Sequence, residues 1–325
     1  MMNDYIFFFK KIVDEIYPND DVERKDIQEI VNVVRPKLEK VSDDDFAVIM
    51  TCCFIPDLYK GMGIREKLFT KLTELMVGEW WRRLGGTYNL PTKKSSTEDV
   101  EFIYDSFSIV SDAKVFRLGR SQKAPNVKDF LKLASVETWI TNLSNLYKAK
   151  KINQIILGGF VTYSSLHEWG KYSEVYLECT DSNIPVVMLP YEVMAILLKY
   201  KNNYSLKDFM KIWNYHENGV VKSTSKDNYW RYVKPFICNL IGLTISEYEQ
   251  EINKYHEITM LAVKEYRKIV QDTIDVVICS INKELESLNT IEEIKEYAIN
   301  AIITRDNKQA LDYLKHIDKF RMFKK

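Results

Sequence analysis

The stretch EDVEFIYDSFSIVSDAKVFRL, residues 98–118, is dense in Val, Ile, Phe and Tyr and reads as two antiparallel strands joined by a tight turn at Asp105-Ser106. With those two residues as the turn, Tyr104 faces Phe107, and counting back along the pair sets Asp99 opposite Asp112. Lys114 is two residues past Asp112 and shares its face of the sheet. Like charges directly across a strand pair repel, so a divalent cation is one reason to keep two carboxylates there. Oxygen ligands with no His or Cys nearby in sequence suit magnesium better than zinc. A lysine beside such a cation can orient an attacking water and stabilise charge on a phosphate oxygen. At this level a plainer reading stays open: Asp99 caps a strand start, and Asp112 with Lys114 is an edge ion pair.

The sequence immediately downstream is basic. Residues 113–134 hold Lys114, Arg117, Arg120, Lys123, Lys128 and Lys132 against the single acid Asp129. Such a run can neutralise phosphates, and it offers Gln122 and Asn126 to base edges. It stands out because the whole chain of 325 residues is neutral, 46 Lys and Arg against 46 Asp and Glu. The first 50 residues carry the opposite excess, 12 acids against 7 bases. Overall neutrality excludes a polybasic or acidic disordered protein but is silent on local patches.

Outward from residues 98–118 the periodicity becomes mixed. Apolar runs at 152–163 and 184–189 suit buried strands, and 129–147 between them suits a helix. Towards the N-terminus, Ile64, Leu68, Leu72, Leu75, Met76 and Trp80 form one face of a helix from Ile64 to Leu84, closed by Gly85-Gly86. Residues 4–53 read as helices, with Pro36 disturbing one of them. After Tyr191 the pattern is again helical: 191–201, 205–213, 227–241, a long element at 245–288 and two short ones. The fold class is therefore α/β and α-rich: a mixed sheet flanked by helices, with helical N- and C-terminal regions. The expected organisation is an N-terminal helical region over 1–60, a catalytic core over 61–201 and a C-terminal helical region over 202–325.

Other signals are weak. Asp4 precedes and Lys10-Lys11 follow the apolar run at 5–9, the reverse of a secretion signal, so a cytoplasmic location is expected. Five cysteines without zinc spacing set disulfides and structural zinc aside. Cys52-Cys53 and the Trp80-Trp81 and Tyr229-Trp230 pairs read as core, and His167, His216, His256 and His316 fit no metal-ligand spacing. Gly61-x-Gly63 lacks the lysine of a phosphate loop.

The run DAKVFRLGRSQKAPNVKDF, residues 112–130, resembles the HindIII-type type II restriction endonucleases of the PD-(D/E)xK nuclease superfamily. So do REKLFTK at 65–71, the segment from Pro190 to Leu198, and Ile212-Trp213-Asn214, in the same order across residues 60 to 240. The resemblance implies Asp99 as first acid, Asp112 as second and Lys114 as the motif lysine, with the Ala113 carbonyl completing a magnesium site. Glu98 stands where the superfamily often has Pro, which leaves Glu101 as a rival for the first acid. Glu66 looks like the helix carboxylate found near the metal in relatives, or else a first-turn acid suited to the helix dipole. The implied DNA contacts are Arg117, Arg120, Gln122, Lys123, Asn126, Lys128 and Lys132. Also implied are one or two Mg2+ per site, a palindromic six-base-pair duplex target such as AAGCTT, a homodimer to read it, and a cognate DNA methyltransferase. The rivals are a nuclease-like DNA-binding protein without hydrolysis and a helical protein that touches no nucleic acid.

Overall fold

The computed structural model describes residues 5–18, 26–91, 98–117, 133–168, 171–181, 183–215, 217–285 and 291–317. Its centre is a five-stranded sheet in the order β1-β2-β3-β4-β5, comprising Thr87–Asn89, Val100–Tyr104, Phe107–Ala113, Ile155–Tyr163 and Val186–Pro190. The first three strands pair antiparallel, and β3–β4 and β4–β5 pair parallel, so the sheet is mixed as expected. The β2–β3 register is the one the sequence predicts: Tyr104 pairs with Phe107 and Val100 with Ser111. Asp105 takes the left-handed conformation at the turn, φ 51°, which Asp tolerates because its short side chain can bond locally.

Around the sheet lie α1 (Phe8–Ile16), α2 (Ile27–Glu39), α3 (Asp43–Thr51), α4 (Gly63–Arg83), α5 (Leu133–Lys150), α6 (Glu174–Cys179), α7 (Tyr191–Lys199), α8 (Leu206–Phe209), α9 (Lys226–Ile241), α10 (Ile245–Leu285), α11 (Glu292–Asp306) and α12 (Lys308–Ile317). Serines open several of them: Ser42, Ser205 and Ser225 accept the N–H of the residue three places on and so satisfy an orphan donor. Pro36 lies inside α2 and Pro235 inside α9, so the expected disturbance at Pro36 does not end the helix. Each ring and missing N–H disturbs the turn before it, and buried residues hold the helix there: Val31, Val34 and Leu38 in α2, Val233, Ile237 and Ile241 in α9. The expected helix at 205–213 divides into α8 and a 3-10 turn over Met210–Trp213. Two elements, β1 and α6, have no counterpart in the sequence reading; both are too short to show a period.

The helix α4 covers one face of the sheet and α5 the other. Trp80 and Trp81 are fully buried, stacking on Phe160 of β4 and Phe102 of β2 with ring centroids 5.9 and 4.9 Å apart. Their indole N–H groups donate to the carbonyls of Met194 and Ile103 at 2.8 and 3.0 Å, so neither ring buries an unpaired donor. On the opposite face Val136 of α5 lies against Gly159, and Tyr147 bonds to Ser108 of β3 at 2.7 Å. Gly158 is required where β4 meets β5: a Cβ there would fall 2.2 Å from the Pro185 carbonyl.

The acidic N-terminal helices are packed onto this core. Arg83 donates to the Leu38 and Val41 carbonyls at 2.9 and 2.8 Å and pairs with Asp43 at 2.6 Å, and Lys201 takes the other Asp43 oxygen. These two cations hold the Asp43 carboxyl below its ordinary range. One cluster of buried apolar side chains runs from Phe9 in α1 to Tyr255 in α10. Among the described residues no helix is long and apolar enough to cross a membrane.

Candidate active site

The β2–β3 hairpin ends where its acids meet. Asp99 stands one residue before β2, its N–H bonded to the Ser111 carbonyl at 3.0 Å, and its Oδ2 accepts the Ala113 N–H at 3.0 Å. Asp112 is the next-to-last residue of β3 and is 4% exposed. In this register paired residues share a face, so the two carboxylates come together. The Lys114 ammonium lies 2.6 Å from Asp112 Oδ1, an oxygen cut off from solvent that makes no aligned hydrogen bond. Lys114 is pinned from its backbone: its N–H donates to the Thr162 carbonyl at 2.8 Å, and its carbonyl accepts the buried Tyr191 hydroxyl at 2.7 Å. Phe116 N–H then reaches Ser164 Oγ at 2.8 Å. The sheet's parallel half and the start of α7 thus fix the direction in which Lys114 points.

Burial dominates the electrostatics. It pushes the Asp112 carboxyl up to about 7, with Asp99 beside it adding to the rise and Lys114 opposing it. A third carboxyl behaves the same way. Glu74, in the middle of α4 and 7% exposed, is raised to about 7 by burial, by Asp99 and by Asp112, against the pull of Lys71. Three carboxyls and Lys114 therefore share one water-poor corner, with more acid than the local lysines neutralise. Such a corner favours an added cation.

Glu74 is the residue the sequence reading misses, and Glu66 is the one it names on the same helix. Glu66 instead pairs with the Arg117 guanidinium, which also donates to the Pro56 carbonyl at 3.3 Å. Eight residues at about 1.5 Å each put Glu66 some ~12 Å from Glu74 along α4. The signal for Glu74 is a carboxylate between the apolar positions Leu72, Leu75 and Met76, all fully buried. Glu101, the rival first acid, is engaged elsewhere. It accepts the Asn89 side-chain amide at 2.9 Å and the Tyr147 hydroxyl, and Ser108 lies at 3.4 Å.

The fit to magnesium rests on these donors. Magnesium is commonly held through one or two carboxylates with water completing its shell. Asp99 and Asp112 supply such a pair, and the unaligned Asp112 oxygen has capacity for a ligand bond. Ala113 sits between Asp112 and Lys114 with its N–H already committed to Asp99. Of the expected DNA contacts, Arg117 is held by Glu66 as described; Arg120, Gln122, Lys123, Asn126, Lys128 and Lys132 lie outside the described residues. Cys52 and Cys53 are buried and their thiols are pushed up to about 12, which leaves them protonated and inert.

No single curated protein matches the chain. Residues 25–313, most of its length, match the model of the HindIII restriction endonuclease family. An acid pair on a mixed sheet with a lysine two residues beyond is what hydrolysis of a phosphodiester can use, and the chain belongs to the HindIII restriction endonuclease family, whose members are hydrolases acting on DNA.

Proposed function

We propose that this restriction endonuclease is a type II enzyme that hydrolyses duplex DNA at a palindromic six-base-pair site, using magnesium held by Asp99 and Asp112. AAGCTT is the first target to try. The observation that carries the reading is the meeting of Asp99, Asp112 and Lys114 at the end of one hairpin, with the Lys114 ammonium 2.6 Å from Asp112.

Bound magnesium would supply positive charge to a phosphate oxygen and acidify an attacking water. Asp99, Asp112 and the Ala113 carbonyl are its proposed holders, one or two ions per site. Lys114 orients the water for in-line attack on phosphorus and stabilises the charge that develops there. The leaving group is the 3′ oxygen, so the products carry 5′-phosphate and 3′-hydroxyl ends. Glu74, whose carboxyl is raised to about 7 by burial and by Asp99 and Asp112, would add negative charge behind the pair and so favour a bound cation without ligating it. Glu66 acts as the counter-ion of Arg117 and so fixes the chain that leaves the site towards the basic run. A palindrome is read by a two-fold protein, so the enzyme works as a homodimer, paired in the cytoplasm with a methyltransferase that protects the same site.

Digestion of a sequence-diverse plasmid library in magnesium, followed by sequencing of the fragment ends, tests this directly. Ends that share one palindrome and one overhang support the proposal; cutting without a common sequence, or only without divalent metal, refutes it.

A further inference from the structure

The strand β4 ends at Tyr163, yet the chain that leaves β3 is guided beyond that point. The Lys114 N–H still donates to a β4 carbonyl, that of Thr162 at 2.8 Å. In a parallel ladder the next bond would run from the Ser164 N–H to the Lys114 carbonyl, and the one after it from the Phe116 N–H to the Ser164 carbonyl. Side-chain hydroxyls take both places instead. The Lys114 carbonyl accepts the Tyr191 hydroxyl at 2.7 Å, and the Phe116 N–H donates to Ser164 Oγ at 2.8 Å.

Both hydroxyls are fixed from elsewhere in the fold. Tyr191 is fully buried at the first position of α7, directly after Pro190 ends β5 opposite Tyr163. Burial, with Cys53 and the Asp99–Asp112 pair adding to it, holds the phenol far above its ordinary range, so it stays a donor. Ser164 is also fully buried, and its hydroxyl donates to the Cys53 carbonyl at 3.3 Å, which leaves its lone pairs to Phe116. From the far side the Ile55 N–H donates to the Phe116 carbonyl at 2.8 Å. Lys114 itself has a flexible four-carbon stem and is 31% exposed, so a fixed backbone is what gives its ammonium a repeatable position beside Asp112.

We propose that Tyr191, seconded by Ser164, is a positioning residue for DNA cleavage: the two hydroxyls extend β3 past the end of β4 and so aim the Lys114 ammonium. This role rests on the one proposed above for Lys114. Both hydroxyls act through that lysine, so losing them slows the chemical step and leaves DNA affinity alone. Misplacing a reacting group by about 1 Å can cost about 100-fold in rate, so a single hydroxyl is enough to matter. A hydroxyl that only held the fold would be dispensable in any variant that still folds.

The test measures single-turnover cleavage at enzyme excess in magnesium, with DNA affinity alongside, for the parent, Tyr191→Phe, Lys114→Ala and the double variant of the full chain. Tyr191→Phe keeps the ring and removes only the hydroxyl. It should cut at least about tenfold more slowly, bind DNA within about twofold of the parent and reach half its maximal rate at the same magnesium concentration. In the Lys114→Ala background the same change should alter the residual rate less than about twofold, because the group it acts through is gone. An undiminished rate in Tyr191→Phe, or an equal loss in both backgrounds, overturns the proposal and leaves Lys114 in its role. Parent-like cutting by Lys114→Ala overturns the proposal together with the role of Lys114. Should Tyr191→Phe fail to fold, or the Lys114→Ala rate fall below detection, Ser164→Ala decides. Freeing the Phe116 N–H must slow cleavage at least about threefold without weakening DNA binding, and parent-like kinetics contradict the assignment.

Discussion

Asp112→Asn is expected to stabilise the metal-free protein while removing its activity. In the folded chain burial and the neighbouring Asp99 lift the Asp112 carboxyl from 3.8 to about 7. At about 1.4 kcal/mol per pH unit, ionising it in place costs up to about 4 kcal/mol at pH 8. Asn has the same shape and no charge, and Lys114, 31% exposed, can turn its ammonium to water when its partner is removed. Relaxation and the linked protonation of Glu74 reduce the gain, so about 1–3 kcal/mol is expected, or roughly 1–5 °C in thermal midpoint for a chain of 325 residues. The sign in pH follows. A raised carboxyl pKa gives stability that is complete below the unfolded value near 3.8 and lost as pH rises through about 7. The advantage of Asn is therefore greatest at pH 8 and shrinks towards pH 5. Magnesium should reverse the order: at tenfold excess over its dissociation constant it stabilises the parent by about 1.4 kcal/mol and leaves the variant unmoved. Thermal and urea unfolding in EDTA and in magnesium, at pH 8 and pH 5, measure all of this. A variant less stable than the parent in EDTA at pH 8, or equally stabilised by magnesium, would refute the reasoning.

Other consequences are simpler to check. Glu74→Gln should lower the cleavage rate about 100-fold or more with DNA affinity nearly unchanged, whereas Glu66→Gln should lower it less than about 10-fold and cost roughly 0.5–1 kcal/mol in unfolding; the opposite ranking would return the helix carboxylate to Glu66. Tyr147→Phe leaves the Glu101 carboxylate buried with one donor fewer and should destabilise the fold by about 1–3 kcal/mol in urea titrations. Trp80→Ala empties the space between α4 and β4 and should cost about 3–5 kcal/mol, enough to shift the unfolding midpoint visibly.

The hairpin was legible because its turn is local. Two residues at Asp105-Ser106 fix every pairing above them, so Asp99, Asp112 and Lys114 fall on one face by counting alone. The long helices were legible for a similar reason: α4 and α10 run through enough turns for their apolar period to show. What escaped depends on contacts distant in sequence. Glu74 looks like any surface acid until α4 lies over the strand ends and buries it, and Glu66, equally plausible by position, is drawn to Arg117 instead. The Tyr191–Lys114 meeting joins residues 77 positions apart that no spacing rule connects. The strand β1 owes its existence to the exposed edge of β2 and to Tyr88 packed under Gly78, neither of which leaves a period in three residues.

The central claim is that Asp99, Asp112 and Lys114 cut DNA. It is tested most directly by measuring, in magnesium and on one plasmid, cleavage and DNA binding by the parent, Asp99→Asn, Asp112→Asn and Lys114→Ala, each verified as folded. The account predicts that the parent cuts and that each variant retains DNA affinity within a few-fold while cleavage falls by about 1,000-fold or more. Unimpaired cutting by Asp112→Asn or Lys114→Ala would contradict it.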